Sequence, residues 1–275
     1  MNNVTLFNRS PLERIKPAEL SRWLLSRGIS SITTDDIAAL LGIPKNQVSP
    51  RLAAPKKRGE IVLLANRLWA PVPPEYMIWG APPALDFIDD LMRHLNVDYY
   101  VGWLSAAELL GASHHAPQVF QVAVSHVRRA RIIGRSRLQF YQRDHIHLAA
   151  RIKIESKSAN VPVSSRETTL LDIASDIGFV GGIDNAANLI MELCETTVPD
   201  PKTLASLAAH YPSSAIRRLG YIMDHFTDVS APAQLKAISD NRNTSISLLD
   251  PQSANTGKID KIWQLKINRE VNPDL

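Results

Sequence analysis

The spacing of apolar residues near the start of the chain predicts two short helices. Leu20, Trp23 and Leu24 follow one another at i, i+3 and i+4, which places them on one helix face. Residues 33–36 (Thr-Thr-Asp-Asp) combine a capping hydroxyl with acids in a first helical turn, so a second helix is expected to begin there. Gly42 is expected to end it, because glycine readily adopts the left-handed conformation of a helix C-terminus.

A third helix and a hairpin are predicted next. The helix is expected over about residues 46–54, with Val48 and Leu52 facing inward. Residues 60–64 and 67–71 are strand-like runs that form the hairpin. Helices joined by a short turn and followed by a hairpin are typical of a winged helix-turn-helix, a DNA-binding module, which we predict for residues 1–75.

The outward positions of the third helix and hairpin carry side chains that suit DNA. Asn and Gln can read adenine in the major groove, Arg can read guanine, and Lys and Ser suit phosphates. No acidic residue occurs from Lys45 to Gly59. The predicted DNA-binding residues here are Lys45, Asn46, Gln47, Ser49, Arg51, Lys56, Lys57, Arg58, Asn66 and Arg67. A winged helix that contacts protein is the alternative.

Two prolines bear on the length of this third helix. Proline lacks an N–H and is tolerated best in the first turn, so the helix is expected to begin no earlier than about Asn46. Pro50 would then lie near the end of the first turn, and Pro55 would end or kink the helix near Ala54.

Five prolines between positions 71 and 83 mark a boundary between two domains, 1–75 and 76–275. In the larger domain Ser105 is expected to cap a helix, and from Val161 onward the pattern is mainly helical. The predicted strands are 119–124, 138–141, 145–154 and 261–267, and residues 98–102 are expected to form a short strand or an extended segment. The fold class is therefore α+β (mixed α/β): an N-terminal winged helix-turn-helix plus a larger mixed α/β domain with a helical distal part.

The distribution of charge along the chain adds information about the partner. The net charge of the 275 residues is +4, but it is unevenly distributed. Residues 1–75 hold 11 Lys and Arg against 6 Asp and Glu, and residues 126–153 hold 8 against 1. The rest holds 12 against 20. Two basic segments in an otherwise acidic chain favour a polyanionic partner. The second segment adds Arg128, Arg129, Arg131, Arg135 and Arg137 to the predicted DNA-binding residues.

Several function classes find no support in the sequence. The single Cys194, in an apolar helix, excludes an intrachain disulfide and a multi-cysteine zinc site. No export signal or membrane-length apolar run occurs, so a soluble, cytoplasmic protein is expected. No phosphate-binding glycine loop or nucleophile elbow occurs, so we expect neither an enzyme nor a cofactor. The aromatic residues interpreted as core or interface anchors are Trp69, Trp79, Trp103 and Trp263.

Two chemical alternatives stay open. His114 and His115 with His145 and His147 could bind a metal, because the last two would share one face of a strand. Asp144 with Glu155-x-Lys157 is similar to the carboxylates and lysine of magnesium-dependent nucleases.

A series of segments resembles the AbiEi family, antitoxins of abortive-infection type IV toxin–antitoxin systems. These segments are 85–92 (LDFIDDLM), 99–102 (YYVG), 105–114 (SAAELLGASH), 117–120 (PQVF) and 167–172 (ETTLLD). The last matches the family's E-x-x-L-L-D segment, and the resemblance extends over the whole chain, winged helix first.

The resemblance implies a winged helix followed by an α/β antitoxin domain. It further implies repression of the protein's own operon through promoter repeats, and opposition to a nucleotidyltransferase-type toxin without the need for a stable complex. No membrane, small-molecule substrate or metal is implied. A stand-alone winged-helix transcription factor is the alternative.

Overall fold

The computed structural model describes residues 15–112, 117–157, 159–242 and 245–273. They divide into two compact units: the first runs to Asn96 and includes Ile132–Ser136 and Glu155–Asn160, and the second comprises the rest. Mixed helices and strands confirm the predicted fold class. The first unit extends past residue 75 to include helix α5 (Ala84–His94). The assignment of DNA binding to 1–75 and antitoxin activity to 76–275 stays a prediction.

The first unit begins with the predicted arrangement of helices and hairpin. Its strands form an antiparallel sheet in the order β1-β3-β2, in which the two-residue β1 was not predicted. The elements before α5 are α1 Leu20–Leu25, β1 Ile32–Thr33, α2 Thr34–Leu41, α3 Lys45–Arg51, α4 Ala53–Lys57, β2 Ile61–Ala65 and β3 Leu68–Pro71.

Helix α2 has the ends that the sequence predicted. The Thr33 hydroxyl accepts a hydrogen bond from the Asp36 N–H at 3.2 Å, which satisfies one of the free donors of the first turn. Gly42 closes the helix at a φ of 63°, a conformation that favours glycine. Leu24 of α1, Ile37 of α2, Val48 of α3 and Leu52 between α3 and α4 are fully buried in one cluster with strands β2 and β3, so this unit has its own core.

A six-stranded sheet and a helical layer make up most of the remaining chain. The strands are β4 Tyr99–Val101, β5 Phe120–Val124, β6 Arg131–Ile133, β7 Ser136–Gln142, β8 Arg151–Glu155 and β9 Asn160–Ser164. The helices are α6 Trp103–Leu109, α7 Arg166–Ser175, α8 Ile183–Thr196, α9 Pro201–Ala208, α10 Ser213–Phe226 and α11 Ala233–Asp240. A small sheet follows, with β10 Ser247–Leu248, β11 Lys258–Asp260 and β12 Leu265–Ile267.

The large sheet has the strand order β6-β7-β5-β4-β9-β8. Strand β4 pairs antiparallel with β5 and parallel with β9, and β5 pairs parallel with β7. Neither β6 nor β9 was predicted as a strand. The expectation of helix from Val161 onward was therefore wrong for residues 161–164, which belong to β9 between β4 and β8.

The predicted strand 145–154 is wrong in its first half. Ile146–Leu148 forms a short 3-10 turn, and only Arg151–Glu155 is a strand. The Arg151 guanidinium donates to the Ile146 carbonyl at 2.5 Å, and the buried Ile146 side chain packs into the core. The alternation of apolar and polar residues here therefore reflects one buried turn residue followed by a strand.

Ser105 does not cap a helix as predicted. Helix α6 begins at Trp103, after Gly102, so Ser105 lies inside it and is fully buried. Its hydroxyl accepts the N–H of Gln121 at 2.9 Å, which ties α6 to the start of β5.

The aromatic anchors are confirmed except for one. Trp69, Trp103 and Trp263 are at most 4% exposed, whereas Trp79 is 50% exposed at the end of a 3-10 turn. The final strand is also shorter than predicted, because Trp263 lies in a turn before β12 and packs edge-on against Gly220 of α10.

Helices α7, α8 and α10 pack together and hold the core of the second unit. Cys194 lies in this core as predicted, and burial raises the pKa of its thiol to about 12. No helix among the described residues is both long and apolar enough to cross a membrane.

Candidate nucleic-acid interface

Helices α3 and α4 present one polar surface and bury the other side. Val48 and Leu52 are completely buried in the winged-helix core. All eight predicted DNA-binding residues on this segment are exposed: Lys45, Asn46, Gln47, Ser49, Arg51, Lys56, Lys57 and Arg58. Burial of these two apolar residues therefore orients the polar residues toward solvent.

Pro50 and Pro55 affect the helix ends differently from what the sequence predicted. Helix α3 begins at Lys45, one residue earlier than expected, and includes Pro50 close to its end at Arg51. Pro55 does not end a helix, because α4 begins at Ala53 and Pro55 lies in its first turn, where a missing N–H costs little. The expected basic tail at Lys56 and Lys57 is consequently helical.

The hairpin between β2 and β3 turns at Asn66 and Arg67, both exposed. Arg67 adopts a φ of 64°, which is uncommon for a residue other than glycine. Its carbonyl accepts the N–H of Thr34 at 2.9 Å, which joins the turn to the start of α2. The first predicted strand, 60–64, is thus shifted by one residue to 61–65, the second begins one residue later at Leu68, and the tip is a two-residue turn.

One carboxylate lies at the meeting point of helix and hairpin. Asp35 Oδ1 is 3.1 Å from Lys45 Nζ and also accepts a hydrogen bond from Nη2 of Arg67. Hydrogen bonds from Lys45 and then Arg67 hold the pKa of this carboxyl below its ordinary value. The sequence indicated Asp35 only as a first-turn acid, because residues separated by 10 and 32 positions meet only in the folded chain.

Arg58 is also paired with an acid. Its guanidinium donates to both carboxylate oxygens of Glu60, at 2.7 and 2.8 Å. The pair lowers the pKa of Glu60 and leaves Arg58 less free to meet a phosphate than Lys56 or Lys57.

The second basic segment is built as a hairpin. Strands β6 and β7 are neighbours, joined by Gly134 and Arg135, and Gly134 has a φ of 57°. Arg129, Arg135 and Arg137 are exposed. Arg128 and Arg131 are half-buried, and Nε of Arg128 is buried without a hydrogen-bond partner among the described residues. Three of the five predicted arginines are therefore fully presented to solvent.

The E-x-x-L-L-D segment forms the first part of α7 and organises the second unit. Leu170 and Leu171 are completely buried, as is Asp172. The Asp172 carboxylate accepts hydrogen bonds at 2.8 Å from Tyr100, Tyr211 and Arg143. Burial raises the pKa of Asp172, and burial together with this carboxylate raises the pKa of Tyr100.

The histidines of the metal alternative do not share a strand face. His145 precedes the 3-10 turn and His147 lies within it, with ring centroids 6.4 Å apart, and His114 and His115 lie outside the described residues. Within the described ranges no three His, Cys, Asp or Glu side chains are close enough to hold a metal ion.

The residues of the nuclease alternative have other partners. Lys157 Nζ lies 3.8 Å from Glu75, a neighbour that the sequence did not indicate. Asp144 accepts a hydrogen bond from the Gln142 amide at 3.2 Å.

Comparison with known proteins gives a family match over a little under half of the chain. Residues 100–225 match the AbiEi antitoxin C-terminal domain. Among solved structures, the Rv2827c protein of Mycobacterium tuberculosis is similar, with 18% identity and a TM-score of 0.66 over 93% of this chain and 94% of that one. This likeness concerns the fold, and no curated protein matches the sequence. Residues 100–225 are therefore similar to the AbiEi antitoxin C-terminal domain, in agreement with the sequence resemblance.

Proposed function

We propose that this protein is a cytoplasmic, DNA-binding antitoxin that represses its own operon and opposes a nucleotidyltransferase-type toxin. It acts by binding and not by catalysis. The observation that carries the DNA-binding part is the exposed, acid-free surface of α3 and α4 beside a basic hairpin turn.

The readout is divided between two kinds of contact. Asn46, Gln47 and Arg51 on α3 have the groups that recognise base edges in the major groove. The phosphate contacts come from Lys45, Ser49, Lys56, Lys57, Asn66 and Arg67, and from the β6–β7 hairpin through Arg129, Arg135 and Arg137. Arg58, Arg128 and Arg131 contribute less, because the first is ion-paired and the others are half-buried.

The antitoxin part rests on the family domain at residues 100–225. Opposition to a toxin is assigned to this domain, whose core is organised around Asp172. A nucleotidyltransferase-type partner follows from the family resemblance.

A two-arm experiment in cells tests the proposal. One arm places a reporter under the gene's own upstream region, and the other expresses the neighbouring toxin-candidate gene. Expression of the whole chain is expected to repress the reporter and to restore growth. Repression without protection would favour a stand-alone transcription factor, and protection without repression would contradict autoregulation.

A further inference from the structure

The contacts of Asp35 connect the two parts of the winged helix that face outward. Lys45 is the first residue of α3, and Arg67 forms the hairpin turn. Both meet the same oxygen, Oδ1 of Asp35, at the start of α2. The side chains of all three residues are between 47% and 62% exposed, so DNA can reach them.

Both cations keep donors for a second partner. Arg67 uses only Nη2 on Asp35, and a guanidinium carries five N–H donors. An ammonium such as that of Lys45 has three donors. Each cation can therefore remain on Asp35 and still donate to a DNA group.

Two further contacts hold the hairpin against α2 on the same side. The Thr34 N–H donates to the Arg67 carbonyl at 2.9 Å, and the Trp69 indole donates to the Thr34 hydroxyl at 3.0 Å. These contacts fix the backbone of the turn, and the carboxylate of Asp35 in addition orients the side chains of Lys45 and Arg67.

We infer that Asp35 is a positioning residue for sequence-selective DNA binding, which orients Lys45 and Arg67 before the duplex arrives. This inference rests on the proposed DNA-binding function. Long cationic side chains lose much conformational freedom on binding, and a carboxylate that already orders them removes part of that cost. The gain is largest where the DNA groups have fixed positions, as in the operator complex. On an unrelated duplex the negative charge of Asp35 mainly repels phosphates.

The test measures fluorescence anisotropy of the whole chain on two duplexes, the gene's own upstream sequence and a shuffled sequence of equal composition. Asp35→Asn is expected to weaken binding to the upstream duplex about five- to tenfold, because two side chains lose their orientation. The same variant is expected to strengthen binding to the shuffled duplex about twofold, because one negative charge is removed.

Opposite signs on the two duplexes distinguish positioning from simpler roles. Weaker binding of Asp35→Asn to both duplexes would indicate a structural role for Asp35. Stronger binding to both duplexes would indicate a purely electrostatic role. Either result would overturn the inference. Glu75→Gln is the matched control, since Glu75 also pairs with one lysine, Lys157 at 3.8 Å, and the charge change is equal. It is expected to leave the upstream affinity unchanged.

Two other single variants cover the case in which Asp35→Asn unfolds, and a double-mutant cycle is added where it folds. Arg67→Gln and Lys45→Gln are each expected to weaken binding to the upstream duplex more than binding to the shuffled one. Loss of a cation that is not held in a fixed orientation would weaken binding to both duplexes equally. In a folded Asp35→Asn background, Arg67→Gln is expected to have a smaller effect on the upstream duplex. A wild-type chain without preference would contradict the proposed function, whereas a preference that Asp35→Asn preserves would contradict only this inference.

Discussion

The Tyr100 hydroxyl donates a 2.8 Å hydrogen bond to the carboxylate of Asp172, although the two residues are 72 positions apart. Tyr100 lies in the central strand β4 and Asp172 in helix α7. The contact joins the sheet to the helices. The final aspartate of the E-x-x-L-L-D segment therefore has a structural role, which is to accept this hydrogen bond.

Asp172→Asn is expected to lower the free energy of unfolding by about 3 kcal/mol, because it leaves the buried side of Arg143 without one of its two carboxylates. Urea unfolding followed by circular dichroism measures this. Asp144→Asn, at an exposed position nearby in sequence, is the control and should change stability by less than about 0.5 kcal/mol. A loss below about 1 kcal/mol in Asp172→Asn would show that the network contributes little.

The bidentate pair of Arg151 and Asp98 gives a prediction about pH. The oxygens of Asp98 lie 2.7 and 3.1 Å from the guanidinium, and this hydrogen bonding lowers the pKa of the carboxyl. The stabilisation is therefore complete above the ordinary pKa near 3.9 and is lost as the pH falls through the lowered value.

Asp98→Asn should accordingly be less stable than the wild type at about pH 6, and the difference should shrink as the pH approaches 3. Urea midpoints across this range measure the difference. Asp228→Asn, at an exposed position, should follow the wild type throughout. A gap for Asp98→Asn that stays constant down to about pH 3 would contradict the assignment.

Gln47 and Lys56 should differ in what they contribute to DNA binding. Gln47→Ala is expected to reduce discrimination between upstream and shuffled duplexes by about 1–3 kcal/mol, because an amide reads a base edge. Lys56→Ala should weaken binding to both duplexes equally, because its ammonium group contacts a phosphate. It should also reduce the slope of log K against log salt concentration by about 0.9. Equal effects of the two variants on both duplexes would contradict the division of roles.

The three exposed arginines of the β6–β7 hairpin can be tested together. Replacing Arg129, Arg135 and Arg137 by alanine should flatten the dependence of log K on log salt by about 0.9 per lost phosphate contact. Lys202→Ala, an exposed cation outside both basic segments, should leave the slope unchanged. An unchanged slope in the triple variant would remove this hairpin from the DNA footprint.

Local signals were sufficient for much of the winged helix. The cap at Thr33, the glycine at 42 and the inward spacing of Val48 and Leu52 all act within a few residues, so the helices and the exposed polar face could be predicted. Pro55 was misjudged because its effect depends on whether a new helix begins before it.

The parts that could not be predicted depend on distant residues. Strand β9 pairs with β4, more than 50 positions earlier, and its five residues are too few for their pattern alone to distinguish strand from helix. Asp35 looks like an ordinary first-turn acid until folding brings Lys45 and Arg67 to it. The Asp172 network likewise joins α7 to three distant segments, at Tyr100, Arg143 and Tyr211.

Recognition of the protein's own operator by α3 can be measured in a salt series of fluorescence-anisotropy titrations. The whole chain and the variant with Asn46, Gln47 and Arg51 replaced by alanine are compared on upstream and shuffled duplexes. Selective binding by the wild type that the variant loses, with its binding to the shuffled duplex largely retained, is the predicted result. Equal affinity of the wild type for both duplexes, or a preference that survives in the variant, would contradict recognition of the operator by α3.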